Sequence, residues 1–407
     1  MSRSLRFRLS FMMFLQYFAP GAILPILSHY VQHYLHFTPF QAGVILAAPA
    51  VAAFLAPSIV VRLADRRIAS ERFLAACHAF AAISMLCLAH QTSFAPFLAV
   101  FLLYSLAFVP TMALSNTVAF HHARDPRRDF GAVRLWGTVG WATAGGLFGY
   151  AWLRWGGAGP AETRMPHALA VSAAVSCLMA VHAMTLPAKK TAPPNNDASA
   201  PPEALWRRPG VFPVLCLAFI GSYLNEYYAY GISPFLIQQG FPPETIMPAI
   251  SLGQIAEIGA MALLGGLLAR FGVKRLLAAG MALQAARFLL FAWSENKAIL
   301  LLGISLHGLF YTFFTTTAYI VMDQRCASHE KTGAQQLINI AVFGFGRLLG
   351  SLSAGATAEL HFDPLAQVVH YGGFWLVPAA IGCCTTLAVL VLFRSPPATQ
   401  QAAGAQE

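Results

Sequence analysis

The sequence predicts an all-α polytopic membrane protein, with twelve transmembrane helices in two pseudo-symmetric six-helix bundles. Three observations predict it. Hydrophobic residues fill 57% of the 407 positions and charged residues only 10%, whereas soluble domains carry about 25% charged residues. The apolar residues fall in long runs, each near the ~20 residues a helix needs to cross a bilayer. The basic residues recur at every second loop, as expected of a chain that weaves back and forth across a membrane.

The first six runs are 9–31, 40–62, 73–91, 95–120, 132–153 and 166–186. The second six are 211–235, 246–269, 274–293, 298–322, 334–358 and 369–394. Between the halves lies Pro187 to Arg208, a polar stretch containing Ala192-Pro-Pro-Asn-Asn-Asp-Ala-Ser-Ala-Pro-Pro202. Its composition is that of a flexible linker. The expected organisation is an N-terminal bundle over 1–186, a cytosolic linker over 187–208, a C-terminal bundle over 209–395 and a cytosolic tail over 396–407. The basic start, Ser2 to Arg8, runs into an apolar stretch with no clear A-x-A site, so a retained first span is expected and not a cleaved signal.

The net charge is +10 and the pI about 9.5. In a soluble chain this would point to nucleic acid, but here the positions of the charges decide. Arg3, Arg6 and Arg8 precede span 1, and Arg62, Arg66, Arg67 and Arg72 separate spans 2 and 3. Arg124, Arg127 and Arg128 follow span 4, and Lys189, Lys190, Arg207 and Arg208 occupy the linker. Arg270, Lys274, Arg275, Arg325, Lys331 and Arg394 continue the series, while the opposite side holds Arg154, Arg164 and Lys297. The bias places both termini and the linker in the cytosol. The charge is an orientation signal, the bilayer is the expected partner, and no nucleic acid is expected.

The seven cysteines, Cys77, Cys87, Cys177, Cys216, Cys326, Cys383 and Cys384, form no C-x-x-C pair and mostly sit inside apolar runs, as small packing residues do. No Walker loop, H-E-x-x-H motif or metal-ligand set is present. An enzyme is therefore not expected, nor a metal or cofactor.

A weak repeat relates the halves. Val61-Arg-Leu-Ala-Asp-Arg-Arg67 ends span 2, and Gly266-Leu-Leu-Ala-Arg-Phe-Gly272, running on to Lys274-Arg275, ends span 8. Half-chain repeats are a mark of transporters built from two bundles. The segments resemble the loop motif of the major facilitator superfamily. That resemblance implies a conformational role for Asp65 and Arg66, in a charge network that steadies one state; a solvated cytosolic turn is the alternative. In the second half the motif's Asp is Arg270. Gly145 and Gly149 in span 5, and Gly346 and Gly350 in span 11, form G-x-x-x-G pairs that permit close helix approach.

Ionisable groups at membrane depth are costly, so each is a candidate for function. They are Arg134, Glu226, Glu257, Arg287 and Arg347, with Asp323 and Glu359 near span ends. Glu257 sits mid-span with Gln254 three residues earlier on the same helical face. A carboxyl there suits proton coupling; a structural pair with Arg347 or Arg287 is the alternative. In span 7, Tyr223, Glu226, Tyr227 and Tyr230 form a stripe beside Asn225 and Tyr228, readable as a wet ligand cavity or as packing. Arg134, Thr138 and Trp141 share a face of span 5, offering donors, a hydroxyl and a stacking plane; snorkelling at the helix end is the alternative for Arg134. In span 10, His307, Tyr311 and Thr315 fall at i, i+4 and i+8 beside Thr312. Gln16 and Pro20-Gly21 in span 1, and Pro110-Thr111 and Asn116 in span 4, mark bends that could flank a cavity.

Several segments resemble the bacterial nucleoside:proton symporters of that superfamily. They are Phe14-Leu-Gln-Tyr17, Ala76-Cys-His-Ala79, Ser105-Leu-Ala-Phe-Val-Pro-Thr-Met-Ala-Leu-Ser-Asn-Thr117 and Val133-Arg-Leu-Trp-Gly-Thr-Val-Gly140. Gly253-Gln-Ile-Ala-Glu257, Ala269-Arg-Phe-Gly-Val-Lys274 and Arg287-Phe-Leu-Leu-Phe-Ala292 complete the set. The resemblance implies the superfamily fold and proton-coupled nucleoside import across the bacterial inner membrane by alternating access, with the proton gradient as energy source. It implies substrate contacts at Arg134, Thr138, Trp141, Asn225, Tyr228, Gln254, Glu257 and Tyr311, with proton coupling at Glu257. Here Tyr228 replaces the second residue of an amide pair, Tyr311 a Phe, and Thr312 an Asp. Glu226 stands where the family tends to be uncharged, which makes it a second candidate proton site. A saccharide or aromatic acid as substrate, or export, are the alternatives. A monomer is expected.

Overall fold

The computed structural model describes residues 3–65, 69–122, 126–157, 160–187, 205–207, 210–326 and 330–393. They are nearly all helical. The helices are α1 (Arg3–Tyr34), α2 (Pro39–Asp65), α3 (Ser70–Leu88), α4 (Phe94–His122), α5 (Pro126–Ala144) and α6 (His167–Thr185). Then follow α7 (Val211–Gln238), α8 (Pro243–Trp293), α9 (Lys297–Gln324), α10 (Gly333–Leu360) and α11 (Tyr371–Leu392). Among the described residues, nine helices are long and apolar enough to cross a membrane. α5 and α7 stand outside those nine. Their polar content explains it: α5 carries Arg134 near a basic start, and α7 carries Asn225, Glu226 and several tyrosines.

The sequence separates two spans at 269–274, and α8 is two helical arms that meet across a kink there. At Gly272 the backbone takes φ 75° and ψ 163°, a region L side chains rarely enter. The break gives α8 a first arm ending before Gly272 and a second arm beginning after it. α1 contains Pro20 and tightens into a 3-10 turn at Leu24–Ile26, where Pro25 has no N–H to donate. Wide, π-helical turns lie at Tyr30–Tyr34, Gly145–Trp152, Tyr311–Thr316 and Ile340–Gly346. Such turns shift the side chains that follow onto a new face. Among the described residues the one sheet is a two-stranded antiparallel hairpin between α10 and α11, pairing Phe362 with Val369. Its turn is closed by Asp363, whose carboxylate accepts the backbone N–H groups of Leu365 and Ala366 at 2.8 and 3.1 Å. Those bonds hold the carboxyl below the usual range.

The chain divides into two compact units, Met1–Asn195 with Ile232–Pro248, and Asn196–Gly231 with Ala249–Glu407. In the first, α1 packs against α5 and α6, and α3 against α4 and α6. Leu9, Met13, Leu74, Val118, Val133 and Met179 form its buried core. α1 and α5 cross so closely that a Cβ on Gly140 would collide with the Phe14 carbonyl. In the second unit, Phe288, Phe291, Phe374 and Trp375 pack as an aromatic cluster. Of the conformational pair, Asp65 ends α2 and Arg66 lies outside the described residues. Most of the linker and all of the tail also lie outside them.

Candidate functional site

In the first unit the guanidinium of Arg134 lies 4.1 Å from the centre of the Tyr17 ring. The α1–α5 crossing makes this possible, since Gly137, three residues on from Arg134, faces Tyr17 without a side chain of its own. The π-face offsets part of the cost of a cation at membrane depth. Among the described residues no carboxylate lies within ion-pairing distance of Arg134. Thr138 and Trp141 are both partly exposed, and Trp141 backs onto Gly21 at the bend of α1. Beside Tyr17, Gln16 is fully buried. Its Nε2–H donates to Thr111 Oγ1 at 2.8 Å, and its Oε1 accepts from His78 Nε2–H at 2.9 Å.

In the second unit the first arm of α8 crosses α9 in direct backbone contact. A Cβ on Gly308 would collide with the Glu257 amide nitrogen and the Gly253 carbonyl. Gly308 therefore seats the Glu257 turn against α9, next to His307. Glu257 and Gln254 are partly exposed. Across this crossing, Tyr228 of α7 stacks on His307, with ring centres 4.9 Å apart and planes 18° apart. Tyr311 follows His307 by one turn, at 6.3 Å between ring centres. Arg287, from the second arm of α8, is fully buried. It lies 4.1 Å from the Tyr228 ring centre and donates to His307 Nδ1 at 2.9 Å. A guanidinium is always a donor, so Nδ1 accepts and the His307 proton sits on Nε2. Asn225 Oδ1, Tyr228 OH, Gln254 Oε1 and Thr312 Oγ1 are buried with no hydrogen-bond partner among the described residues.

The structure brings Asn225, Tyr228, Gln254, Glu257 and Tyr311 into one neighbourhood of the second unit, and Arg134, Thr138 and Trp141 onto one helix of the first. Glu226 lies elsewhere, buried between α7 and α10. Ser351 Oγ–H donates to its carboxylate at 3.0 Å, and Arg347 Nε lies 3.9 Å away. Of the two readings of the tyrosine stripe, Tyr227 and Tyr230 take the packing one: Tyr227 hydrogen-bonds Thr357 at 3.0 Å and contacts Phe374, as does Tyr230. The period put Glu226 and the tyrosines on one face correctly, but that face meets other helices. Gly350 makes the approach possible, facing the Tyr223 carbonyl and Glu226 Cβ without a side chain. Of the arginines considered for Glu257, Arg347 lies beside Glu226, and Arg287 is committed to His307 and ring faces. Asp323 pairs with Lys331 at 2.8 Å at a helix end.

Sequence reasoning passed over the supporting contacts. Gln16 with His78, Arg287 with Tyr228, and Gly308 under Glu257 each join different helices, so no single-helix period announces them. Their signal was fainter: His78 and Arg287 stand in segments of the family resemblance.

A chain of long apolar helices with isolated charges at membrane depth is a polytopic membrane protein. The family described as Nucleoside H+ symporter matches residues 3–398, and the chain belongs to that family. The chain is 32% identical over 408 residues to a putative nucleoside transporter, YegT, of Escherichia coli K12, covering 95% of this chain and 93% of the relative. It is 29% identical to a xanthosine permease of the same organism, covering 96% of each. A crystal structure of the nucleoside transporter NupG shares the fold, with a TM-score of 0.84 at 22% identity, covering 96% of this chain and all of that one.

Proposed function

We propose that this chain imports nucleosides together with protons by alternating access. Twelve spans in two six-helix halves, over 1–186 and 209–395, rock about a site near the bilayer midplane. The halves are joined by a cytosolic linker over 187–208. Both termini are cytosolic, by the bias of the basic loops, and the membrane is the bacterial inner membrane. The carrier works as a monomer, uses no cofactor, and is driven by the proton gradient.

One observation supports this reading above the rest. Glu257 is a partly exposed carboxyl seated by Gly308 within a turn of Gln254 and beside stacked aromatic rings. A flat base stacks on such rings, and amide and hydroxyl groups bond its edges. Arg134, Thr138 and Trp141 supply the contacts from α5. Glu257 takes a proton from outside, nucleoside binds, the halves rock, and both leave inside. The coupling is reciprocal: the proton raises nucleoside affinity by the factor by which nucleoside favours the protonated carboxyl. Glu226, tied to Ser351 and Arg347, serves structure.

Uptake of labelled uridine and adenosine into nucleoside-transport-deficient cells tests this reading. Accumulation that an uncoupler abolishes is the expected result. Accumulation that survives the uncoupler contradicts symport, and no uptake of either contradicts the substrate.

A further inference from the structure

Each unit contains a buried polar side chain that has no part in the proposed transport cycle. In the first, His78 enters from α3, the third helix of its half. Its Nε2–H donates to Gln16 Oε1, Gln16 Nε2–H donates to Thr111 Oγ1, and the Thr111 hydroxyl donates to the Phe108 carbonyl. With the amide in this orientation, Oε1 can only accept, so the His78 proton sits on Nε2. His78, Gln16 and Thr111 have no exposed surface. In the second, Arg287 enters from the second arm of α8, which follows α7 and the first arm just as α3 follows α1 and α2. It too has no exposed surface, and it joins Tyr228 of α7 to His307 of α9. In both units, then, a side chain from the third helix contacts the first helix and the fourth: His78 meets Gln16 and, edge to face at 5.7 Å, the Phe108 ring, and Arg287 meets Tyr228 and His307.

We propose that His78 and Arg287 are equivalent positioning residues, each fixing the ligand-facing side chains of its own unit from behind. Neither touches the ligand. His78 fixes Gln16 and with it the rotation of α1, which presents Tyr17 to the Arg134 guanidinium. Arg287 fixes Tyr228 directly and Tyr311 through His307. A buried cation is costly; among the described residues no carboxylate pairs with Arg287, and the ring faces of Tyr228 and Phe288 with His307 Nδ1 offset that cost in this arrangement. The guanidinium therefore enforces a geometry that an apolar residue of the same volume would leave free. This inference rests on the nucleoside reading above.

The test is the concentration dependence of labelled nucleoside uptake in cells, normalised to the amount of transporter in the membrane. His78→Leu and Arg287→Met are expected to raise KM about fivefold or more, with the maximal rate per transporter within about twofold. His78→Gln keeps a donor where the Nε2–H stands and is expected to restore KM. Arg287→Lys keeps the charge but loses the planar fork and is expected to keep KM raised. Should the Leu variant not reach the membrane, His78→Asn, whose amide stops short of Gln16, takes its place with the same expectation. Should the Met variant not reach it, Arg287→Lys decides for that residue. Unchanged KM in these variants, or a fall in maximal rate alone, overturns the proposal. Absence of uptake by the unsubstituted protein would instead overturn the function on which it rests.

Discussion

Glu257→Gln is expected to abolish concentrative uptake while leaving exchange of nucleoside across the membrane intact. The amide keeps the size and hydrogen-bonding reach of the protonated acid but cannot release a proton. The loaded carrier then still turns over, and the inside-to-outside ratio of nucleoside falls to about one, because coupling free energy comes only from a ligand with differential affinity for the two states. Uptake against a gradient and counterflow, measured side by side in the same vesicles, separate these outcomes. Glu226→Gln is the control. Its carboxyl lies between α7 and α10 with Ser351 and Arg347, so accumulation per transporter is expected to persist. Loss of accumulation in Glu226→Gln, with Glu257→Gln still concentrative, would transfer the proton role to α7.

Gly308→Ala is expected to cost more than its one methyl group suggests. A Cβ at that position has no room beside the Glu257 amide nitrogen and the Gly253 carbonyl. Both obstacles are backbone and cannot swing aside, so the first arm of α8 must move away from α9. Overpacking of this kind costs about 1–3 kcal/mol, and the displaced turn is the one that carries Glu257. Thermal unfolding in detergent should fall by several degrees, and uptake by about tenfold or more, since sub-ångström placement matters at a coupled site. Gly266→Ala on the same helix is the matching control, because nothing lies within 4 Å of the position its Cβ would take. Equal effects of the two substitutions would remove the crossing from the account.

The helices were legible because burial in lipid leaves a simple trace. Continuous apolar runs mark spans, and basic loops mark sides, with no long-range information needed. The boundary between the two arms of α8 was legible too. Hydropathy drops near Arg270 and Lys274, and the helical backbone is interrupted there, at Gly272 with φ 75° and ψ 163°. Arg134, Gln254 and Glu257 were legible as polar exceptions on apolar faces. Which exception packs against another helix was not legible, because period fixes a face and not its neighbour. Glu226 illustrates this. It shares the depth and chemistry of Glu257, and only the close approach of α10 at Gly350 assigns it to Ser351 and Arg347. The same holds for His307, which stood in the sequence as a lone histidine. In the fold, the fully buried Arg287 supplies its hydrogen-bond donor and fixes its proton on Nε2.

The central claim is that nucleoside and proton cross together through a site containing Glu257. Purified protein in liposomes with a trapped pH-sensitive dye, at zero membrane potential and equal pH on both sides, tests it most directly. Addition of nucleoside outside is expected to acidify the lumen in the unsubstituted protein and to leave it unchanged in Glu257→Gln. Nucleoside entry without acidification in the unsubstituted protein, or undiminished acidification in Glu257→Gln, would contradict it.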